Sequence, residues 1–262
     1  MCGIAGYSLR PESGVERTLA AQALLAGIAE RGADAAGYAH REPGGRVVVR
    51  KQRTGASALL EAIRVPDAAT ELLVHVRDYT KGHPTIEANN HPIRHGDVVG
   101  IHNGHVYNDD ELMAAYEFER AEPAMTVDSE AIFALAEAFE GRAAPFEELR
   151  GSLATAWLDE RRPGVVFCAR GTGRPLWLGT AEGAVFFAST QEALEVVERY
   201  AGLALAKRAV EEGMLLGLEL GRIAWRESFT PNRSFEETPL PAVRAPHEGR
   251  FCLERLAALA SA

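Results

Sequence analysis

The sequence predicts an α+β fold built from stacked layers, not a doubly wound parallel sheet. Two observations carry this. Many short β-rich runs alternate in blocks with only a few helical stretches. Most neighbouring runs are joined by turn residues, as at Arg162-Pro163-Gly164, Gly171-Thr172-Gly173 and Glu182-Gly183, which favour antiparallel hairpins over βαβ crossovers.

The elements follow in chain order. Strands are expected at Gly3 to Leu9, Arg46 to Lys51, Leu72 to Arg77 and Asp97 to His102. Further strands are expected at Ser152 to Leu158, Val165 to Arg170, Pro175 to Gly179, Ala184 to Ser189, Met214 to Glu219 and Arg222 to Trp225. Val15 to Arg31 carries Leu19, Leu24, Leu25 and Ile28 and reads as a helix closed by a left-handed Gly32. Asn108-Asp109-Asp110-Glu111 reads as a capping box before Leu112 to Tyr116. Ile132, Leu135, Ala136 and Phe139 form a one-face stripe on a helix beginning near Asp128. Ser189-Thr190-Gln191-Glu192 opens another helix through Tyr200 by the same kind of box. From about Glu227 the pattern dissolves into a tail with Pro231, Pro239, Pro241 and Pro246, ending in a short helix at Phe251 to Leu259. No internal repeat is visible.

Composition narrows the function. The 262 residues are 47% hydrophobic and 25% charged, a globular balance that disfavours disorder and coiled coil. The net charge of -9 leaves no basic stripe for a phosphate backbone, so nucleic acid is not an expected partner. Apolar runs such as Ala184 to Ala188 fall far short of the roughly 20 residues that span a bilayer, so no membrane is expected either. The start lacks the basic and apolar regions of a signal peptide. Cys2, Cys168 and Cys252 are an odd number for a disulfide framework, which points to a reducing, cytoplasmic compartment.

Cys2 is the first candidate for chemistry. Removal of Met1 would leave a cysteine whose own α-amine, of pKa about 7.7–8.0, could act as base for a thiol of about 8.5. From position alone, Cys2 reads rather as a small buried hydrophobe at a strand start. Six of the eight histidines lie between His75 and His105, and His91-x3-His95 with His102-x2-His105 raise a metal reading. Pro92 and Gly96 disfavour the helix that would join the first pair, and no metal is expected. Cys168 lies in an apolar strand and reads as an inert buried thiol.

Cys2-Gly3-Ile4-Ala5-Gly6 resembles the start of class II, N-terminal-nucleophile glutamine amidotransferases, such as the glutaminase domains of glucosamine phosphate synthase and amidophosphoribosyltransferase. Further matches occur in the same order. They are Arg31-Gly32-Ala33-Asp34-Ala35-Ala36-Gly37, the run His75-Val76-Arg77-Asp78-Tyr79-Thr80-Lys81-Gly82, Asn90-His91-Pro92, His102-Asn103-Gly104 and Val127-Asp128-Ser129-Glu130. Arg150-Gly151-Ser152, Arg174-Pro175-Leu176 and Ala188-Ser189 also fall in place.

The resemblance covers about residues 2 to 226, leaving 227 to 262 as a tail. It implies a four-layer αββα sandwich of two antiparallel sheets flanked by helices. It also implies that the Cys2 thiolate attacks the side-chain amide of L-glutamine, or of a related γ-glutamyl amide, without metal or organic cofactor.

By the same resemblance Arg77 would hold the substrate carboxylate, as a guanidinium fork can. Asp128 would take the ammonium, while Asn103 and the Gly104 N–H would form an oxyanion hole. Thr80 and Gly82 would wall the pocket, and Arg31 and Asp34 would support the nucleophile strand. Bland readings stand beside these: a surface arginine for Arg77, a helix N-cap for Asp128, and a hairpin turn for Asn103-Gly104. Positions 78 and 81 carry Asp and Lys where sugar-phosphate synthase relatives carry an aromatic residue and a histidine.

The tail from about Glu227 is expected to leave no room for a synthase domain. The expected product ammonia therefore points to a separate synthase subunit. The alternatives are a hydrolase of another γ-glutamyl amide, or a non-catalytic relative that binds amino acids or partners.

Overall fold

In a computed structural model, residues 1–237 and 240–261 are described. Thirteen strands form two sheets. The first contains β1 (Gly3–Leu9), β2 (Ala35–Arg41), β3 (Val47–Gln52), β4 (Glu71–Arg77), β9 (Trp177–Ala181), β10 (Ala184–Ala188) and β11 (Ala206–Ala209). They are ordered β11-β9-β10-β1-β4-β2-β3. The second is ordered β13-β12-β8-β7-β6-β5. Its strands are β5 (Ile93–His95), β6 (Val98–Val106), β7 (Gly151–Asp159), β8 (Val165–Arg170), β12 (Met214–Glu219) and β13 (Arg222–Ser228). Neighbours in both sheets pair antiparallel.

The period of two along each strand sorts the core into layers. On β1, Ile4 packs between the sheets with Leu73, Val99, Ile101, Val185 and Phe187. Tyr7 and Leu9 turn the other way, to a helical layer that includes Leu24, Leu25 and Val197. That layer is α1 (Arg17–Ile28), α2 (Ala56–Leu60), α5 (Gln191–Ala201) and α6 (Pro246–Leu259). On the far side α3 (Asp109–Ala115) and α4 (Glu130–Ala138) cover the second sheet, where Phe133, Trp157 and Phe167 are buried. Full burial of each such side chain contributes about 1.5–3 kcal/mol. The architecture is therefore helix, sheet, sheet, helix, the expected α+β sandwich.

Several local expectations are corrected. The first helix starts at Arg17, where the Glu16 carboxylate caps the Thr18 and Leu19 N–H groups. Gly32 is extended, with φ -174°, not left-handed. A side chain there would collide with the Arg77 backbone, and that close approach is what calls for glycine. Asn108 does not cap α3; its amide bridges Glu148 O at 3.0 Å and Arg150 N at 2.8 Å. At α5 the cap is Thr190, and Ala193 occupies the third helical position, so no box forms. β2, β5 and β11 carry no sequence signal of their own; the small residues of β2 are held as a strand between β4 and β3.

The tail is less irregular than expected. Pro246, read as part of the irregular stretch before a helix at Phe251, is instead the first residue of α6, where its missing N–H costs nothing. Cys252 and Leu256 of α6 are buried in the core layer with Leu24 and Leu25. Pro239 lies outside the described residues. Among those described, no helix is long and apolar enough to cross a membrane.

Candidate active site

Pleat alternation gathers the candidate residues. Cys2 has the parity of Ile4, His75 and Arg77 that of Leu73, and Asn103 that of Val99 and Ile101. All four therefore belong to the layer between the sheets, at the end where β1 starts and β4 stops. Gly3 pairs with Val76, which sets Cys2 beside Arg77.

The backbone at the nucleophile is clamped from two sides. Arg31 Nε donates to Cys2 O at 2.8 Å. Ser189 accepts from Ile4 N through its hydroxyl and returns its own N–H to Ile4 O, each at 2.9 Å. The Cys2 thiol lies 3.5 Å from Asp78 O. Burial pushes this thiol above its ordinary pKa, while the contact with the Asp78 backbone, the terminal ammonium and Arg77 oppose that rise. Cys168 lacks such opposition and is driven well above the usual range by burial alone.

A narrow pocket opens at Cys2, lined by Arg77 to Lys81, His91, His102, Gly104 and Val127 to Ser129. Asn103 and Gly104 lie within β6, opposite Ala154 and Leu153, so the hairpin-turn reading fails. Gly104 has φ +152°, and a Cβ there would overlap the Ser152 carbonyl. The Asn103 side chain is fully buried, and neither its oxygen nor its nitrogen has a hydrogen-bond partner. A buried amide left without partners costs about 1–3 kcal/mol, which marks it as awaiting one.

Arg77 is buried and is no surface arginine. Its Nη1 donates to Asn90 Oδ1 at 2.6 Å, and its Nη2 to Lys81 O at 2.9 Å and to Gly82 O. It thus braces the 78–82 loop as well as lining the pocket. Asp128 accepts from Val106 N at 2.7 Å and caps no helix; α4 begins at Glu130. Burial pushes its carboxyl above the usual range, against the Val106 bond. Thr80 pairs with His105 Nδ1 at 3.2 Å, and Gly82 sits at φ +77° against Asn89 and Val127. Asp34 accepts from Tyr79 N at 2.9 Å, so it holds the pocket loop and not the nucleophile strand that Arg31 holds.

Three pocket features were not anticipated. His102 accepts from the Ser129 hydroxyl at 2.9 Å and turns Nε2 to Ser152 O at 3.3 Å. His75 donates to His102 O at 3.0 Å and stacks on His91 at 4.3 Å. Burial lowers His75 and His102 to about 3 and His91 well below 6.5. The spacing of these histidines drew attention in sequence, but as metal pairs. Instead His95 pairs with Glu130 and His105 with Thr80, and among the described residues no three ligands converge on a metal site. Lys81 is tied to Asp109 at 2.6 Å and Asp110 at 2.8 Å, which pins the loop to α3. Asp78 Oδ2 meets both the Met1 ammonium and Arg244 Nε, the latter at 3.1 Å.

The arrangement has the groups that acyl transfer calls for: a thiol on a clamped strand, an unpartnered amide next to a glycine, and a cation and an anion lining the same pocket. Residues 79–196 match the family model of a glutamine amidotransferase domain. The chain is 33% identical over 214 residues to the glutamine--fructose-6-phosphate aminotransferase of Escherichia coli O6:H1, covering 76% of this chain and 33% of the relative. The enzyme of the same name from Symbiobacterium thermophilum is 32% identical over 210 residues, covering 74% and 32%. The chain thus spans about a third of the length of the curated relatives it matches. Among solved structures, glutamine phosphoribosylpyrophosphate amidotransferase from B. subtilis superposes with a TM-score of 0.67 at 20% identity, over 88% of this chain and 50% of that one. A structure described as the allosteric regulatory enzyme of purine biosynthesis gives 0.69 at 21% identity with the same coverage.

Proposed function

The chain carries a class II, N-terminal-nucleophile glutamine amidotransferase domain, and from that premise we propose that it hydrolyses L-glutamine to glutamate and ammonia through a Cys2 thioester. The domain spans residues 2 to 226, with 227 to 262 as its tail. Once Met1 is cleaved, the Cys2 α-amine takes the thiol proton and the sulfur attacks the side-chain carboxamide. A carbon–sulfur bond forms and the carbonyl oxygen gains charge, which the Asn103 amide and Gly104 N–H stabilise. Collapse breaks the carbon–nitrogen bond, and the amine returns its proton to departing ammonia. Water then cleaves the thioester, releasing glutamate and restoring the thiol.

Arg77 and Asp128 receive the carboxylate and ammonium of the substrate, while Thr80 and Gly82 shape the wall. Arg31 and Asp34 hold the nucleophile and the pocket loop. No metal or organic cofactor enters the scheme. The ammonia passes to a separate synthase subunit.

The observation that carries this reading is the buried, unpartnered Asn103 amide next to a Cys2 pocket. A second reading, hydrolysis of another γ-glutamyl amide, is favoured by the charged rim formed by Asp78 and Lys81. Glutamate release from glutamine, measured on protein whose intact mass lacks Met1, tests the proposal. Activity that disappears in Cys2→Ala supports it, and processed protein inert toward glutamine refutes it.

A further inference from the structure

Asp78, which lines the pocket, is touched by the tail. The tail is fastened there: Arg244 N and Ala245 N both donate to Glu30 O, at 2.9 and 2.8 Å, and α6 follows at once. Glu248 of α6 accepts from Ser57 N at 2.8 Å and from its hydroxyl at 3.0 Å. From this base the Arg244 side chain extends to Asp78 Oδ2, the same oxygen that holds the main-chain ammonium of Met1. After cleavage the amine moves one residue along, at most about 3.8 Å between Cα atoms. Cys2 shares the pocket with Asp78, its thiol 3.5 Å from the Asp78 carbonyl oxygen, which keeps the new amine in the neighbourhood of that carboxylate.

This matters because the mechanism proposed above needs the amine neutral. A nearby carboxylate favours ammonium and weakens the base. A guanidinium on that carboxylate offsets its charge. We infer that Arg244 is a positioning residue for the N-terminal base: it holds the Asp78 carboxylate and neutralises it, so that the Cys2 amine can be deprotonated near neutral pH. The other charges facing this spot are Arg31, on the Cys2 carbonyl, and Arg77 from β4. The Asp34 carboxylate accepts from Tyr79 N, Glu30 meets the tail through its backbone carbonyl with its exposed carboxylate left as a further nearby anion, and Lys81 is held by Asp109 and Asp110. Asp128, on the pocket wall, accepts from Val106 N.

The inference rests on the glutaminase reading for its consequence but not for its measurement. In full-length, Met1-free protein, the pH dependence of N-terminal labelling by an amine-reactive ester is read on the N-terminal peptide, beside the pH profile of glutaminase kcat/KM. Arg244→Ala should move both midpoints upward by on the order of half to one unit. Asp78→Asn should move them downward, and Arg244→Lys should restore the wild-type profile. In the Asp78→Asn background the effect of Arg244→Ala should shrink to under half. Unchanged midpoints in Arg244→Ala or Arg244→Gln, with wild-type melting curves, would overturn the inference. Shifted labelling in a protein that never hydrolyses glutamine would sink the glutaminase reading alone. Unshifted labelling in an active glutaminase would sink only the role of Arg244.

Discussion

Arg31 Nε donates to the carbonyl of Cys2 at 2.8 Å, so the 3-10 turn after α1 holds the residue that carries the nucleophile. Arg31 is buried, and its contact at the site is with the Cys2 backbone and not with the pocket lining. Its action on the reaction is therefore through the position of Cys2.

Arg31→Met should lower kcat about 10-fold or more with little change in KM, since a charge-assisted hydrogen bond contributes about 1.5–3 kcal/mol. Steady-state glutaminase kinetics checks this. A matched rise in KM would place Arg31 in substrate binding instead.

Asn103→Ala should separate chemistry from binding. Its amide has no partner in the free site, so a substrate oxyanion would be its first. Loss of one such donor typically costs about 10²- to 10³-fold in turnover. Wild-type kcat with an altered melting temperature would remove Asn103 from the mechanism.

Asp128→Asn should discriminate between substrates. Activity should fall for glutamine and much less for an analogue lacking the α-ammonium. Because Asp128 also accepts the Val106 N–H, the amide side chain keeps an acceptor oxygen and the fold should survive. Equal losses for both substrates would confine Asp128 to holding the backbone of β6.

The labelling pattern of the three cysteines should follow their surroundings. A glutamine-like electrophile should modify Cys2 once per chain and spare Cys168 and Cys252. Burial drives Cys168 far above the thiol range and Cys252 up to about 12, leaving neither with useful thiolate. Peptide mapping that finds the adduct on either would redirect the nucleophile.

Acid should destabilise the fold through the histidines beneath the pocket. His75 and His102 are lowered to about 3 when folded, against about 6.5 when unfolded. The unfolded chain therefore binds more protons below 6.5. The stability these neutral rings represent is complete above that pH and is lost as pH falls toward 3, by about 1.4 kcal/mol per unit for each ring. His75→Gln should make the decline in melting temperature between pH 6.5 and 4 shallower; an unchanged slope would mean the ring is already charged in the fold.

The sequence by itself determined the class of fold and singled out the candidate side chains of the site. Strands such as Gly3–Leu9 and Val165–Arg170 and the stripe of α4 were legible because hydrophobic periodicity is a local property of the chain. Cys2, Arg77, Asn103 and Asp128 were legible because they sit in short ordered motifs. What each of these groups touches was decided only by tertiary structure. Asn103-Gly104 has the sequence of a turn, yet β7 pairs with it and keeps it a strand. Asn108 looks like a cap, yet Glu148 and Arg150 claim its amide. Arg77 is spent partly on Asn90 and the loop it braces, and Arg244 meets Asp78 from 166 residues away. A hydrogen bond forms only between groups brought within about 3 Å, and for polar groups in a core the available partners depend on which distant segments pack beside them. That packing follows from burying apolar faces across the whole chain, so it decides the charge, protonation and freedom of a site whose residues the sequence had already named.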